Sequence, residues 1–161
     1  MHHEVRLAST GNTLQGQNFL EVLRENTNPE VANFVREVME AAEQLKLIST
    51  PGKGNGSVSL KYKDPETGRN FTFGTLFGKG DAWFYMMPEQ CEKAGIDPEI
   101  GRQYLREVAA LLPGGKVVKD NVQADVPTPK IAYLMPKRDK WYQAIAHTVQ
   151  AIQEAMVGSS D

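Results

Sequence analysis

Apolar positions recur along this chain at two periods, and the change from one to the other divides it into helical and extended stretches. Phe19, Leu20, Val22 and Leu23 predict a short helix over 15–25. A clearer one follows, with Val31, Phe34, Val35, Val38, Met39, Ala42 and Leu45 on one face at helical spacing. Asn28 offers a side-chain oxygen to the open N–H groups of its first turn, where Pro29 has no N–H to satisfy. The helix is expected to stop near Leu47, because Ser-Thr-Pro-Gly-Lys-Gly-Asn-Gly (49–56) reads as a turn-rich loop.

From Val58 the period becomes two. Val58, Leu60 and Tyr62 alternate with Ser57, Ser59, Lys61 and Lys63. After a turn over 64–69, Phe71, Phe73 and Phe77 alternate with Thr72, Gly74 and Leu76, and after Gly78-Lys79-Gly80-Asp81 a third strand runs from Ala82 to Met87. Together they predict a three-stranded antiparallel meander. With even turns, Val58, Leu60, Tyr62, Phe71, Phe73, Phe77, Phe84 and Met86 share a core face. The second face then carries Ser57, Ser59, Lys61, Lys63, Thr72, Gly74, Leu76, Trp83, Tyr85 and Met87. An odd loop or a bulge would break this parity.

The helical period returns at Pro88, in a helix that ends at Gly95, and again behind Asp97 and Pro98, with Ile100, Tyr104, Leu105, Val108, Leu111 and Leu112 as the apolar stripe before Gly114. A strand is predicted over 116–119, then a proline-punctuated connection, a further strand over 130–135, and a last helix from Pro136 that buries Trp141, Ile145, Val149, Ile152 and Met156. The segments Tyr85–Ala94 and Tyr133–Tyr142 echo each other, each read as a strand ending in Met-Pro before a helix. Proline at the first helical position gives a sharp exit, which accounts for the echo without a duplication. The expected fold class is α+β: two N-terminal helices, the meander, two helices, two further strands and a C-terminal helix. The helices pack on one sheet face, as a two-layer sandwich with about five strands.

Composition changes this picture little. A chain of 161 residues supports one sizeable core, and a single domain over 15–157 is expected between a flexible N-terminal segment (1–14) and a flexible tail (158–161). The net charge of −2 argues against a strongly basic nucleic-acid binder but leaves room for a local basic patch. The lone cysteine, Cys91, can form no internal disulfide, so a reducing, cytoplasmic compartment is expected. No apolar run is long enough to span a bilayer and no signal-peptide pattern appears, so no membrane partner is expected.

Candidate chemistry is sparse. Gly74-Thr75-Leu76-Phe77-Gly78-Lys79-Gly80 superficially resembles a phosphate loop, but its glycines are one residue too close, Gly80 stands where a hydroxyl is needed, and a strand follows instead of a helix. Cys91 and His147, the sole histidine beyond His2 and His3, fall on an apolar and a polar helix face, which separates them. His2 and His3 are set aside as metal ligands, and no metal spacing, cofactor motif or catalytic constellation is read. What remains is a surface. Lys53 and Lys79 lie on glycine-rich loops at the same end of the meander, and Lys61, Lys63, Trp83 and Tyr85 share its second face. That face could be covered core, an aromatic shield over Gly74, a dimer interface or a stacking platform. The first expectation is therefore a small non-catalytic binding or interaction module, homodimeric or with a protein partner. The second is a binder of phosphate-containing ligands or single-stranded nucleic acid through those six residues.

Overall fold

A computed structural model of the chain describes residues 14–52 and 56–159. The expected flexible segment 1–14 lies outside these residues but for Leu14, as do His2, His3, Lys53, Ser160 and Asp161. Among the described residues, five α-helices, one 3₁₀ helix and two antiparallel sheets make an α+β fold. Helices α1 (Leu14–Asn26) and α2 (Pro29–Gln44) come first, and Asn28 caps α2 by accepting the Val31 N–H at 2.9 Å.

The main sheet has four strands in the order β1 (Ile48–Pro51), β2 (Ser57–Lys63), β3 (Asn70–Phe77) and β4 (Ala82–Trp83). It contains the expected antiparallel meander as β2–β3–β4 and adds β1 at its edge, so the main sheet has four strands where about five were expected. Strand β1 was hidden in the turn-rich stretch after α2. It lies at the sheet edge, where Pro51 at its end is tolerated.

A bulge in β3 corrects the expected face assignment. Leu60 pairs with Gly74 but Lys61 pairs with Thr72, so Phe73 is the extra residue. Beyond it the alternation slips by one. Leu76, expected on the second face, is fully buried, and Phe77, expected in the core, crosses to the second face beside Trp83. The buried Tyr104 hydroxyl holds the bulge by donating to the Phe73 carbonyl at 2.7 Å, and it accepts the Trp141 Nε1–H at 3.1 Å. Gly74 faces inward too. A Cβ there would meet the Phe84 ring at 2.7 Å, so Phe84, rather than Trp83 or Tyr85, covers this glycine.

Helices α3 (Met87–Lys93) and α4 (Glu99–Ala109) follow. Met87, expected on the second face, is buried at the start of α3. Strand β4 is too short to cover all of β3, and α3 takes over its free edge: the Gln90 amide accepts the Thr72 N–H at 2.6 Å and donates to the Thr72 hydroxyl at 3.0 Å. A hairpin of β5 (Lys116–Val118) and β6 (Asn121–Gln123) forms a separate small sheet. The strand expected over 130–135 is a 3₁₀ helix (Ile131–Lys137), which buries Ile131 and Leu134 on one side. Residues three apart eclipse in this helix, whereas a strand would have paired residues two apart. The echo with Tyr85–Ala94 therefore ends at Met-Pro. Helix α5 (Arg138–Ser159) buries Trp141, Ile145, Val149, Ile152 and Met156 as expected, and it carries on through Val157 and Gly158.

Candidate functional site

Strand alternation and the β3 bulge decide which side chains reach the second face of the main sheet. Cross-strand pairs Thr50–Ser59, Ser59–Thr75 and Thr75–Trp83 make one row across all four strands, and Ile48–Lys61–Thr72 make the next. Ser59 and Thr75 hydroxyls hydrogen-bond at 3.0 Å. Trp83 and Tyr85 are 45% and 41% exposed, far more than a tryptophan or tyrosine under a helix would be. Phe77, Trp83 and Tyr85 form a row of rings with centroid separations of 5.0 and 6.1 Å.

Charge on this face has one sign. The four strands contain no Asp or Glu, although the chain holds 20 of them. Lys61 is half-buried and Lys63 exposed, and among the described residues neither pairs with a carboxylate. Asp81 stands at the end of the sheet with Lys79 and Lys130 ammonium groups each 3.8 Å away, two cations to one anion. By strand geometry Lys61 and Trp83 lie about 12 Å apart at their Cα atoms, two strands across and one row along.

The two glycine loops meet at one end of the sheet: the Gly78 N–H donates to the Gly56 carbonyl at 2.9 Å. Lys53 lies outside the described residues. Gly80 (φ 103°) donates its N–H to the Phe77 carbonyl, so two amides of the Lys79 turn are engaged in holding the turn itself. Lys79 projects into solvent near Asp81. The structure thus groups Lys61, Lys63, Trp83 and Tyr85 on one face, with Lys79 at its end.

A groove of about 410 Å³ opens beside Trp83 and Tyr85. Its far wall comes from Asn121, Gln123, Pro127 and Thr128. Backbone bonds fix that wall: the Val122 N–H donates to the Phe84 carbonyl, the Ala82 N–H to Pro129 and the Ile131 N–H to Gly80. The Tyr133 hydroxyl donates to Asp125 at 2.7 Å, and this bond raises the tyrosine pKa. Sequence reading missed Phe77 and the whole far wall. Gly74 inside a strand was the available signal for the bulge. Nothing local could bring residues 121–128 to β4.

Other reactive groups are committed elsewhere. Cys91 is buried in α3, and burial pushes its thiol up to about 11, against a hydrogen bond from the Gly101 backbone and with a small push from Asp97. His147 is exposed and its Nε2 hydrogen-bonds Glu107 Oε2 at 2.9 Å. Asp64 accepts the Thr67 N–H and hydroxyl at 2.9 and 2.8 Å, which closes the β2–β3 turn. Among the described residues no group of His, Cys, Asp and Glu is placed to hold a metal ion, and no helix is long and apolar enough to cross a membrane. Comparison of the chain with protein-family models, curated proteins and solved structures returned no match.

Proposed function

We propose that this protein is a non-catalytic binding module for phosphate-bearing ligands, working through the second face of its main sheet, where Trp83 and Tyr85 are exposed. The observation that carries the reading is the grouping of Lys61 and Lys63, without a carboxylate partner among the described residues, with exposed Trp83 and Tyr85 on a sheet whose four strands hold no acidic residue. Lysines supply the sequence-independent attraction for phosphate, and the rings supply apolar contact. Lys79 and Lys130 extend the positive field past Asp81.

Homodimerisation through the same face is the second reading, favoured by the continuous row of Phe77, Trp83 and Tyr85. Charge weighs against it, since a face with lysines and no carboxylate offers a second copy of itself nothing to pair with them. The test is binding of inorganic polyphosphate and of single-stranded oligonucleotides between about 50 and about 200 mM salt. Affinity should fall with salt, and Lys61→Ala/Lys63→Ala should flatten the log–log slope by about 1.4 for a single-stranded ligand. Absence of binding, or affinity that ignores salt, contradicts the reading. A concentration-dependent dimer abolished by Trp83→Ala would select the second one.

A further inference from the structure

We infer that the groove between β4 and the β5–β6 hairpin holds a base of a single-stranded nucleic acid whose phosphates lie along Lys61 and Lys63. The inference rests on the phosphate reading above and names the ligand class. Three features converge on it. The near wall of the groove is aromatic, formed by Trp83 and Tyr85, and every nucleobase has a π-face for such rings. The far wall carries the amides of Asn121 and Gln123, which have no side-chain hydrogen-bond partner among the described residues. An amide presents a donor beside an acceptor, the pattern found on base edges. The Thr128 hydroxyl adds a further donor or acceptor. At about 410 Å³ the groove is at the small end of ligand sites, suited to one planar group.

Charge complementarity singles out this occupant. A proline-rich peptide would use the rings but leave Lys61 and Lys63 without a role. An inorganic phosphate would use the lysines but leave the rings and amides idle. A nucleic-acid strand engages all of them, because every nucleotide joins an anionic phosphate to a flat base. A duplex would not serve, since its bases are stacked inside and its edges are presented in grooves, so an unpaired strand is required.

The test uses the full chain with three fluorescent probes: a short single-stranded oligonucleotide, an abasic sugar-phosphate oligomer of equal length, and the same oligonucleotide annealed to its complement. Wild type is expected to bind the base-bearing single strand most tightly. Trp83→Ala should weaken that complex by about tenfold or more, with little effect on the abasic oligomer, and Trp83→Phe should restore part of the loss. Asn121→Ala/Gln123→Ala should reduce differences among homopolymers of the four bases. Equal binding of base-bearing and abasic oligomers would overturn the base site while leaving the phosphate reading intact. So would a duplex preference, or an equal loss for both oligomers in Trp83→Ala. Failure to bind any of the three at low salt would overturn both.

Discussion

The two tryptophans show how the two faces of one sheet differ. Trp141 on α5 is fully buried, packs against Phe34 and Phe84, and donates its Nε1–H to Tyr104. Trp83 on β4 is 45% exposed, and its ring lies beside those of Phe77 and Tyr85. On the core face the polar atoms of Trp141 and Tyr104 are matched inside the protein. On the open face the Phe77, Trp83 and Tyr85 rings, the Ser59 and Thr75 hydroxyls and the two lysines share a surface, with α3 reaching only Thr72 among the described residues. The teaching is that residue type alone does not separate structure from function: the same side chain serves the core where its polar atom is matched, and offers a surface where it is not.

That contrast is open to attack from the core side first. Trp141→Ala should cost about 3–5 kcal/mol in urea unfolding, since it opens a large cavity and strips Tyr104 of its donor. Gly101→Ala should cost about 1–3 kcal/mol, because a Cβ there meets the backbone of Pro88 at 2.6 Å and of Met87 at 2.7 Å, where α3 and α4 touch. Tyr104→Phe should cost about 1–2 kcal/mol, by leaving the Phe73 carbonyl and Trp141 Nε1–H without their partner.

A smaller effect is expected on the alkaline side. Burial, with Glu37 nearby, raises the Tyr142 hydroxyl to about 12, and burial raises Cys91 to about 11. In both cases the folded protein holds the proton more tightly than the unfolded chain. Their stabilisation is therefore complete below the ordinary values of 9.0 and 10.0 and is lost as pH climbs through 11 and 12. Unfolding midpoints measured from pH 8 to 12 should fall over that window, and native Cys91 should resist thiol reagents near pH 8. The smallest effect sharpens the comparison most: Trp83→Ala should change stability by less than about 0.5 kcal/mol. A loss as large as that of Trp141→Ala would place Trp83 with the core.

Much of the helical framework could be read from the chain. Asn28 and Pro29 announce α2, and the Trp141–Met156 stripe announces α5, because a helix face repeats over many residues and tolerates no slip. The sheet was less transparent. One extra residue at Phe73 exchanged Leu76 and Phe77 between faces, and what fixes that bulge is Tyr104, 31 residues away. The 130–135 segment carries apolar residues at both two- and three-residue spacings, so periodicity alone could not separate strand from 3₁₀ helix. Lys61, Lys63, Trp83 and Tyr85 were legible as one face because two slips cancel: the bulge shifts the alternation by one, and the three-residue turn over 78–80, odd where an even one was expected, shifts it back before β4. The groove was not, since its walls meet only through long-range pairing of β4 with the segment after the hairpin.

The most direct test of the open face as the working surface is tryptophan fluorescence during titration with a single-stranded oligonucleotide, first at low and then at moderate salt. Trp83 is the exposed reporter and Trp141 the buried control. The account predicts quenching that disappears in Trp83→Phe and whose midpoint rises with salt. An unchanged spectrum at every concentration, or quenching that persists in Trp83→Phe, would contradict it.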